Sequence, residues 1–85
     1  MAKVEMYLKS TCPYCMRAAQ LLDAKGAERE YYNVDMGGAK KAEMVQRTNG
    51  RTTVPQIFIG GRHIGGCDDL MALDRQGKLD QLLAA

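Results

Sequence analysis

The sequence predicts an α/β fold: a four-stranded mixed sheet in the order βαβαββα, with helices on both faces. Three observations carry this. The chain opens strand–helix–strand, a pattern that closes as a parallel pair with a right-handed crossover. Two β-rich runs near the end are separated only by Gly60-Gly61, a strong signal for an antiparallel hairpin. The length of 85 residues leaves room for a single domain over 1–85 with a thin core.

Each element has a local reason. Val4, Met6 and Leu8 alternate with Glu5 and Tyr7, as in a short strand. A helical pattern follows from about Pro13 to Lys25; Pro13 suits the first turn, where a missing N–H costs nothing, and Gly26 is the natural stop. Met16, Ala19 and Leu22 are expected to line one helix face, with Ala18 and Leu21 beside them. Glu30 to Asp35 reads as the second strand, rich in β-formers. After Gly37-Gly38, a second helix is expected from Ala39 to about Thr48, ended by Asn49-Gly50. Pro55–Ile59 and Arg62–Ile64 are the hairpin strands. Cys67 to about Gln76 is the third helix, with Asp68 and Asp69 in its first turn, and Leu79 to Leu83 forms a last turn or two. Met36, Met44 and Met71 read as core filler, whereas Met16 sits where it can help shape a binding surface.

Composition excludes several classes of function. Twelve Lys and Arg stand against ten Asp and Glu, a balance too even for nucleic-acid or anionic-membrane binding. No run approaches the roughly 20 apolar residues of a membrane span. The stretch Met1 to Lys9 is too short and too interrupted, by Glu5, for a signal peptide. A cytoplasmic location is therefore expected, a reducing compartment in which cysteines serve chemistry and not structural disulfides.

Three cysteines then become the first question. Cys12-Pro13-Tyr14-Cys15 lies at the turn from the first strand into the first helix, and C-x-x-C in a βαβ setting reads as a thioredoxin-like redox motif. A helix start presents unpaired N–H groups and the positive end of the dipole, both of which favour a thiolate. Cys12, at the helix start, is expected to be exposed and nucleophilic, with Lys9 the nearby cation. Cys15, one turn in, is more buried and is the resolving thiol or a bystander. A competing reading is zinc, since Cys12-x2-Cys15 and His63-x3-Cys67 offer four ligands between them. For His63 by itself, a surface residue on an edge strand is the plainer account.

Three segments together resemble the glutaredoxins: Lys9-Ser10-Thr11-Cys12-Pro13-Tyr14-Cys15, Thr53-Val54-Pro55 and Gly65-Gly66-Cys67-Asp68-Asp69. Their order and spacing are similar to those of the small bacterial dithiol class, the glutaredoxin-three type, over essentially the whole chain. The resemblance implies a thioredoxin fold, a cis peptide before Pro55, and a glutathione-dependent disulfide oxidoreductase that acts through Cys12 and Cys15. It implies glutathione as co-substrate and no metal. Its protein partners would be glutathionylated or disulfide-containing proteins, ribonucleotide reductase among them, and the chain would act as a monomer. Some family members hold an iron–sulfur cluster between protomers, but those with Pro13 after the first cysteine seldom do.

With that family in view, each candidate site residue gains a role. Val54 becomes a backbone ledge that pairs with the cysteinyl part of glutathione, as an added strand would. Backbone N–H groups at Cys67 and Asp68 suit the γ-glutamyl carboxylate. The Asp68 or Asp69 side chain suits the α-amino group, although acidic residues at a helix start are equally explained by the dipole. Lys9 is implied as partner of the glycine carboxylate; Arg47 and Arg51 are further cations that the sequence does not place. Tyr14 would wall the sulfur, Thr53 lies beside the ledge, and Gly66 would let backbone approach closely. Cys67 is either a small buried hydrophobe or a thiol open to glutathionylation or intermolecular pairing.

Overall fold

The computed structural model describes residues 2–85; Met1, the first residue of the N-terminal stretch read above, lies outside them. Eight elements follow in order: β1 (Val4–Leu8), α1 (Pro13–Ala24), β2 (Arg29–Asn33), α2 (Gly38–Arg47), β3 (Gln56–Ile59), β4 (Arg62–Gly65), α3 (Cys67–Arg75) and α4 (Leu79–Ala84). The sheet runs β2-β1-β3-β4, with β1 and β2 parallel and the other pairs antiparallel. This is the expected mixed sheet, with the final turns formed as a helix. Gly60 and Gly61 both take positive φ, 59° and 80°, as the tight β3–β4 turn requires.

Two cores flank the sheet. On one face, Val4, Met6, Ile57 and Ile59 pack against Ala18 and Leu22 of α1, Leu70 of α3, and Leu79 and Leu83 of α4. On the other, Tyr7 and Phe58 pack against Val34 and Met44 under α2. A strand between two covered faces buries both sets of its side chains. Tyr7, expected on the polar side of the β1 alternation, is therefore fully buried.

Four further expectations shift. The buried face of α1 is Cys15, Ala18 and Leu22, not Met16, Ala19 and Leu22; Met16 is 56% exposed. Strand β2 ends at Asn33, not Asp35, because Val34 donates its N–H to Leu8 O at 2.9 Å and the chain then turns, closed by Gly37 N–H to Val34 O at 3.0 Å. Strand β3 starts at Gln56, one residue after Pro55. Met36, on that turn, is 96% exposed and fills no core, whereas Met44 is fully buried. No helix among the described residues is long and apolar enough to cross a membrane.

Candidate active site

Cys12 is the residue that caps α1. Its backbone is extended (φ −98°, ψ 107°), Pro13 occupies the first helical turn, and Cys12 Sγ accepts the N–H of Cys15 at 3.2 Å. An orphan helix N–H thus points at the sulfur. The same sulfur lies 3.8 Å from Val54 O, to which its S–H donates. The approach to α1 is tied down from two sides. Cys12 N–H reaches Lys9 O at 3.3 Å, and Ser10 donates its N–H to Asp35 Oδ1 at 3.0 Å and its hydroxyl to Asp35 Oδ2. Asn33 Nδ2 donates to the same carboxylate at 3.0 Å. These bonds, led by the Ser10 hydroxyl, hold the Asp35 carboxyl below its ordinary range.

The two thiols differ sharply in surroundings. Cys12 is half-buried, less open than a helix-start position suggests, while Cys15 is 1% exposed. Burial, with the Cys12 hydrogen bond second, pushes the Cys15 thiol up to about 12. Cys67 is also buried, and burial again raises its thiol, with the nearby Asp68 charge adding to it.

Beside Cys12 runs a groove of about 210 Å³. One wall is Thr53-Val54-Pro55, with the Val54–Pro55 peptide cis; the other is Gly66 to Asp69 at the start of α3. Tyr14, 56% exposed, Arg51 and the buried Gln56 also line it. The two aspartates separate in role. Asp69 Oδ2 accepts Gly66 N–H at 2.9 Å and so caps α3, whereas Asp68 is exposed and forms no hydrogen bond or ion pair among the described residues. Gly66 lines the groove, and the tightest approach within the chain itself is at its neighbour. Gly65 has φ 121° and a Cβ there would run into the Asp69 carboxylate, while a Cβ at Gly66 would meet Pro55 O at an ordinary 3.5 Å.

Lys9 stands at the end of β1, half-buried, outside the residues that line the groove. Arg47 is committed elsewhere, in a two-pronged pair with Glu5 at 3.1 Å on each arm. The four-ligand zinc set does not assemble. His63 turns to the α2 face, where its ring stacks on Phe58, while Cys67 packs into the core on the opposite face. Among the described residues no three His, Cys, Asp or Glu side chains come together as a metal would require. His63 is also more than a surface residue: it is half-buried and its Nε2 lies 2.8 Å from Gln56 Oε1. Sequence reasoning missed Gln56. Its signal was an amide beside Pro55 at the head of an apolar strand, where burial demands hydrogen-bond partners.

A family model described as glutaredoxin matches residues 4–64. The chain is 59% identical over 83 residues to glutaredoxin 3 of Escherichia coli, covering 98% of this chain and 99% of that protein. Among solved structures, a buckwheat glutaredoxin–glutathione complex superposes with a TM-score of 0.85 at 38% identity, covering 98% of this chain and 77% of the other. The solution structure of a Brucella melitensis glutaredoxin gives 0.82 at 52% identity, covering 98% and 89%.

Proposed function

The chain belongs to the glutaredoxin family, with the thioredoxin fold and the glutathione-dependent thiol–disulfide oxidoreductase activity of that family, and on that premise we propose which reaction it runs and with which residues. The Cys12 thiolate attacks the glutathione sulfur of a glutathionylated protein. The Cys12–glutathione bond forms, the substrate–glutathione bond breaks, and the substrate leaves as a thiolate that takes up a proton. A glutathione thiolate then attacks the bound glutathione sulfur, which frees Cys12 and gives oxidised glutathione. In the second route Cys15 loses its proton, attacks Cys12 Sγ and expels glutathione as thiolate; two further glutathiones reduce the resulting Cys12–Cys15 disulfide.

The observation that carries this reading is the 3.8 Å between Cys12 Sγ and Val54 O, because Val54 also walls the groove. A disulfide-bonded glutathione on Cys12 can therefore run its backbone along Val54 in the manner of an added strand. Charges in the groove match a tripeptide with two carboxylates and one ammonium. The N–H groups of Cys67 and Asp68 at the start of α3 take the γ-glutamyl carboxylate, the Asp68 carboxylate takes the ammonium, and Arg51, or Lys9 from outside the groove lining, takes the glycine carboxylate. Thr53, Pro55 and Gly66 shape the walls, Tyr14 shields the sulfur, and Asp69 acts through its cap on Gly66. The substrates are proteins in a reducing, cytoplasmic setting, with ribonucleotide reductase among the disulfide substrates, and the chain works as a monomer.

The high pKa of Cys15 ranks the two routes. Burial, the leading cause of the shift, disfavours the Cys15 thiolate whatever Cys12 carries, and so favours the route through Cys12 alone for deglutathionylation. The test is turnover of a glutathionylated peptide. Cys12→Ser is expected to reduce it to background, and retained activity refutes the assignment. Cys15→Ser is expected to keep that turnover while losing reduction of a protein disulfide; loss of both makes Cys15 part of the first step.

A further inference from the structure

We infer that Gln56, seated by His63, is a positioning residue that sets the direction of the Val54 N–H on the docking ledge. The inference rests on the glutathione reading above and goes beyond it. Gln56 is fully buried at the head of β3, a place where an aliphatic side chain would carry no desolvation cost. Its amide is nevertheless bonded at both ends. Gln56 Nε2 donates to Thr53 O at 3.0 Å and to Thr53 Oγ1 at 3.2 Å, and Gln56 Oε1 faces His63 Nε2 at 2.8 Å. A carbonyl oxygen only accepts, so the amide nitrogen must face Thr53 and the amide oxygen must face His63. His63 Nε2 therefore carries a proton. The imidazole is fixed in turn: it stacks on Phe58 with ring centroids 4.9 Å apart, and the Arg47 guanidinium lies 3.9 Å from the Phe58 centroid on the α2 side.

The consequence follows from peptide planarity. Thr53 lies in a segment without regular secondary structure, and nothing in a strand or helix ladder fixes its carbonyl. In a trans peptide the C=O of one residue and the N–H of the next lie in one plane and point in opposite directions. Gln56 holds Thr53 O, so it also aims the N–H of Val54 away from the sheet interior. That N–H is the donor a strand-like ligand needs beside the Cys12 sulfur. Gln56 borders the groove, but it is fully buried and both ends of its amide are bonded within the chain, so it offers a ligand no free polar atom and acts through the ledge.

Steady-state kinetics with a glutathionylated peptide test this, read beside the rate at which iodoacetamide alkylates Cys12, which needs no ledge. Gln56→Glu keeps the size and the acceptor for His63 but replaces the donor to Thr53 with an acceptor. Its KM is expected to rise about three- to tenfold with kcat within about twofold, the pattern of lost ground-state binding worth one hydrogen bond. The alkylation rate is expected to match the parent. His63→Leu is expected to raise KM in the same sense, and His63→Gln, which restores a donor to Gln56 Oε1, to return it to the parent value. A folded Gln56→Glu with the parent KM overturns the proposal, as does a KM change accompanied by an equal fall in alkylation. Should Gln56→Glu fail to fold, equal KM values for His63→Leu and His63→Gln overturn it instead. A parent chain that is alkylated at Cys12 yet never turns over the peptide overturns the glutathione reading itself, an outcome no variant can mimic.

Discussion

On the α1 side of the sheet, Val4, Met6, Ile57 and Ile59 meet Ala18, Leu22, Leu70 and Leu79, carbon against carbon. On the α2 side, Tyr7 and Phe58 share their space with an arginine–carboxylate pair: Arg47 bonds both oxygens of Glu5 at 3.1 Å and the Tyr7 hydroxyl at 2.9 Å. The Tyr32 hydroxyl completes that cluster, 2.9 Å from Glu5 Oε2. Apolar contact is non-directional, so the first face holds α1, α3 and α4 on the sheet through the shape and close packing of its side chains. A two-pronged guanidinium–carboxylate pair is directional and has one good geometry. The second face therefore fixes where the end of α2 lies and, through Phe58 and His63, reaches the ledge beside Cys12.

The largest expected effect belongs to the aliphatic face. Leu22 is fully buried in its cluster, and Leu22→Ala leaves a cavity that neighbours from three helices and the sheet refill only in part. A loss of about 2–5 kcal/mol is expected. For a domain of this size, about 3 kcal/mol lowers Tm by roughly 12–24 °C in a thermal melt. A drop below about 5 °C would mean that this face is loosely packed and that the contrast between the faces is misdrawn.

Next in size is the polar face, where the signature is a dependence on pH. The Arg47 hydrogen bonds hold the Glu5 carboxyl below its ordinary value of 4.5, against the opposing pull of burial. A carboxyl with a depressed folded-state pKa stabilises the fold fully above its unfolded value, and that stability is lost as pH falls through the folded value. Glu5→Gln is thus expected to cost about 1–2 kcal/mol near neutrality, in urea unfolding. The gap between parent and variant should hold from neutrality down to about pH 4.5 and narrow as the pH falls below it. A gap that stays constant over that range removes the carboxylate charge from the account.

The two faces also differ in how far they could be read in advance. Pro13, Gly26 and the Gly60-Gly61 pair act on their own backbone, so the helix start, the helix stop and the hairpin were legible from single residues. The walls of the groove were legible only through the family resemblance, whose motifs Thr53-Val54-Pro55 and Gly66 to Asp69 the fold brings to one groove. Tyr7 was misjudged because alternation along β1 tells which residues share a face but not that α2 covers the second face. Met36 was misjudged because its placement depends on a turn after Val34, set partly by the Asp35 carboxylate binding Ser10 from a distant segment. Arg47 and Arg51 look alike in sequence; only the fold commits one to Glu5 and leaves the other beside the groove. What escaped was pairing between polar side chains far apart along the chain, and that is the substance of the α2 face.

The smallest expected effect gives the sharpest comparison, because it measures coupling and not loss. Tyr7→Phe keeps the ring that packs 5.0 Å from Tyr32 and 6.0 Å from Phe58, and removes only the oxygen that accepts from Arg47. Arg47 Nη1 donates to both Glu5 and Tyr7, so each partner helps hold the guanidinium for the other. In a double-mutant cycle, Glu5→Gln with Tyr7→Phe is expected to show a coupling of about 0.5–1 kcal/mol. Leu22 and Glu5 lie on opposite faces of the sheet and share no partner, so Leu22→Ala with Glu5→Gln is expected to be additive within about 0.5 kcal/mol. If the pair across the sheet couples as strongly as the pair within the network, the faces respond as one body and the directional role assigned to Arg47 fails. Coupling confined to the network instead ties the setting of α2 to the polar cluster, in which Arg47 Nη1 bonds both mutated side chains and Tyr32 bonds Glu5 while packing on Tyr7.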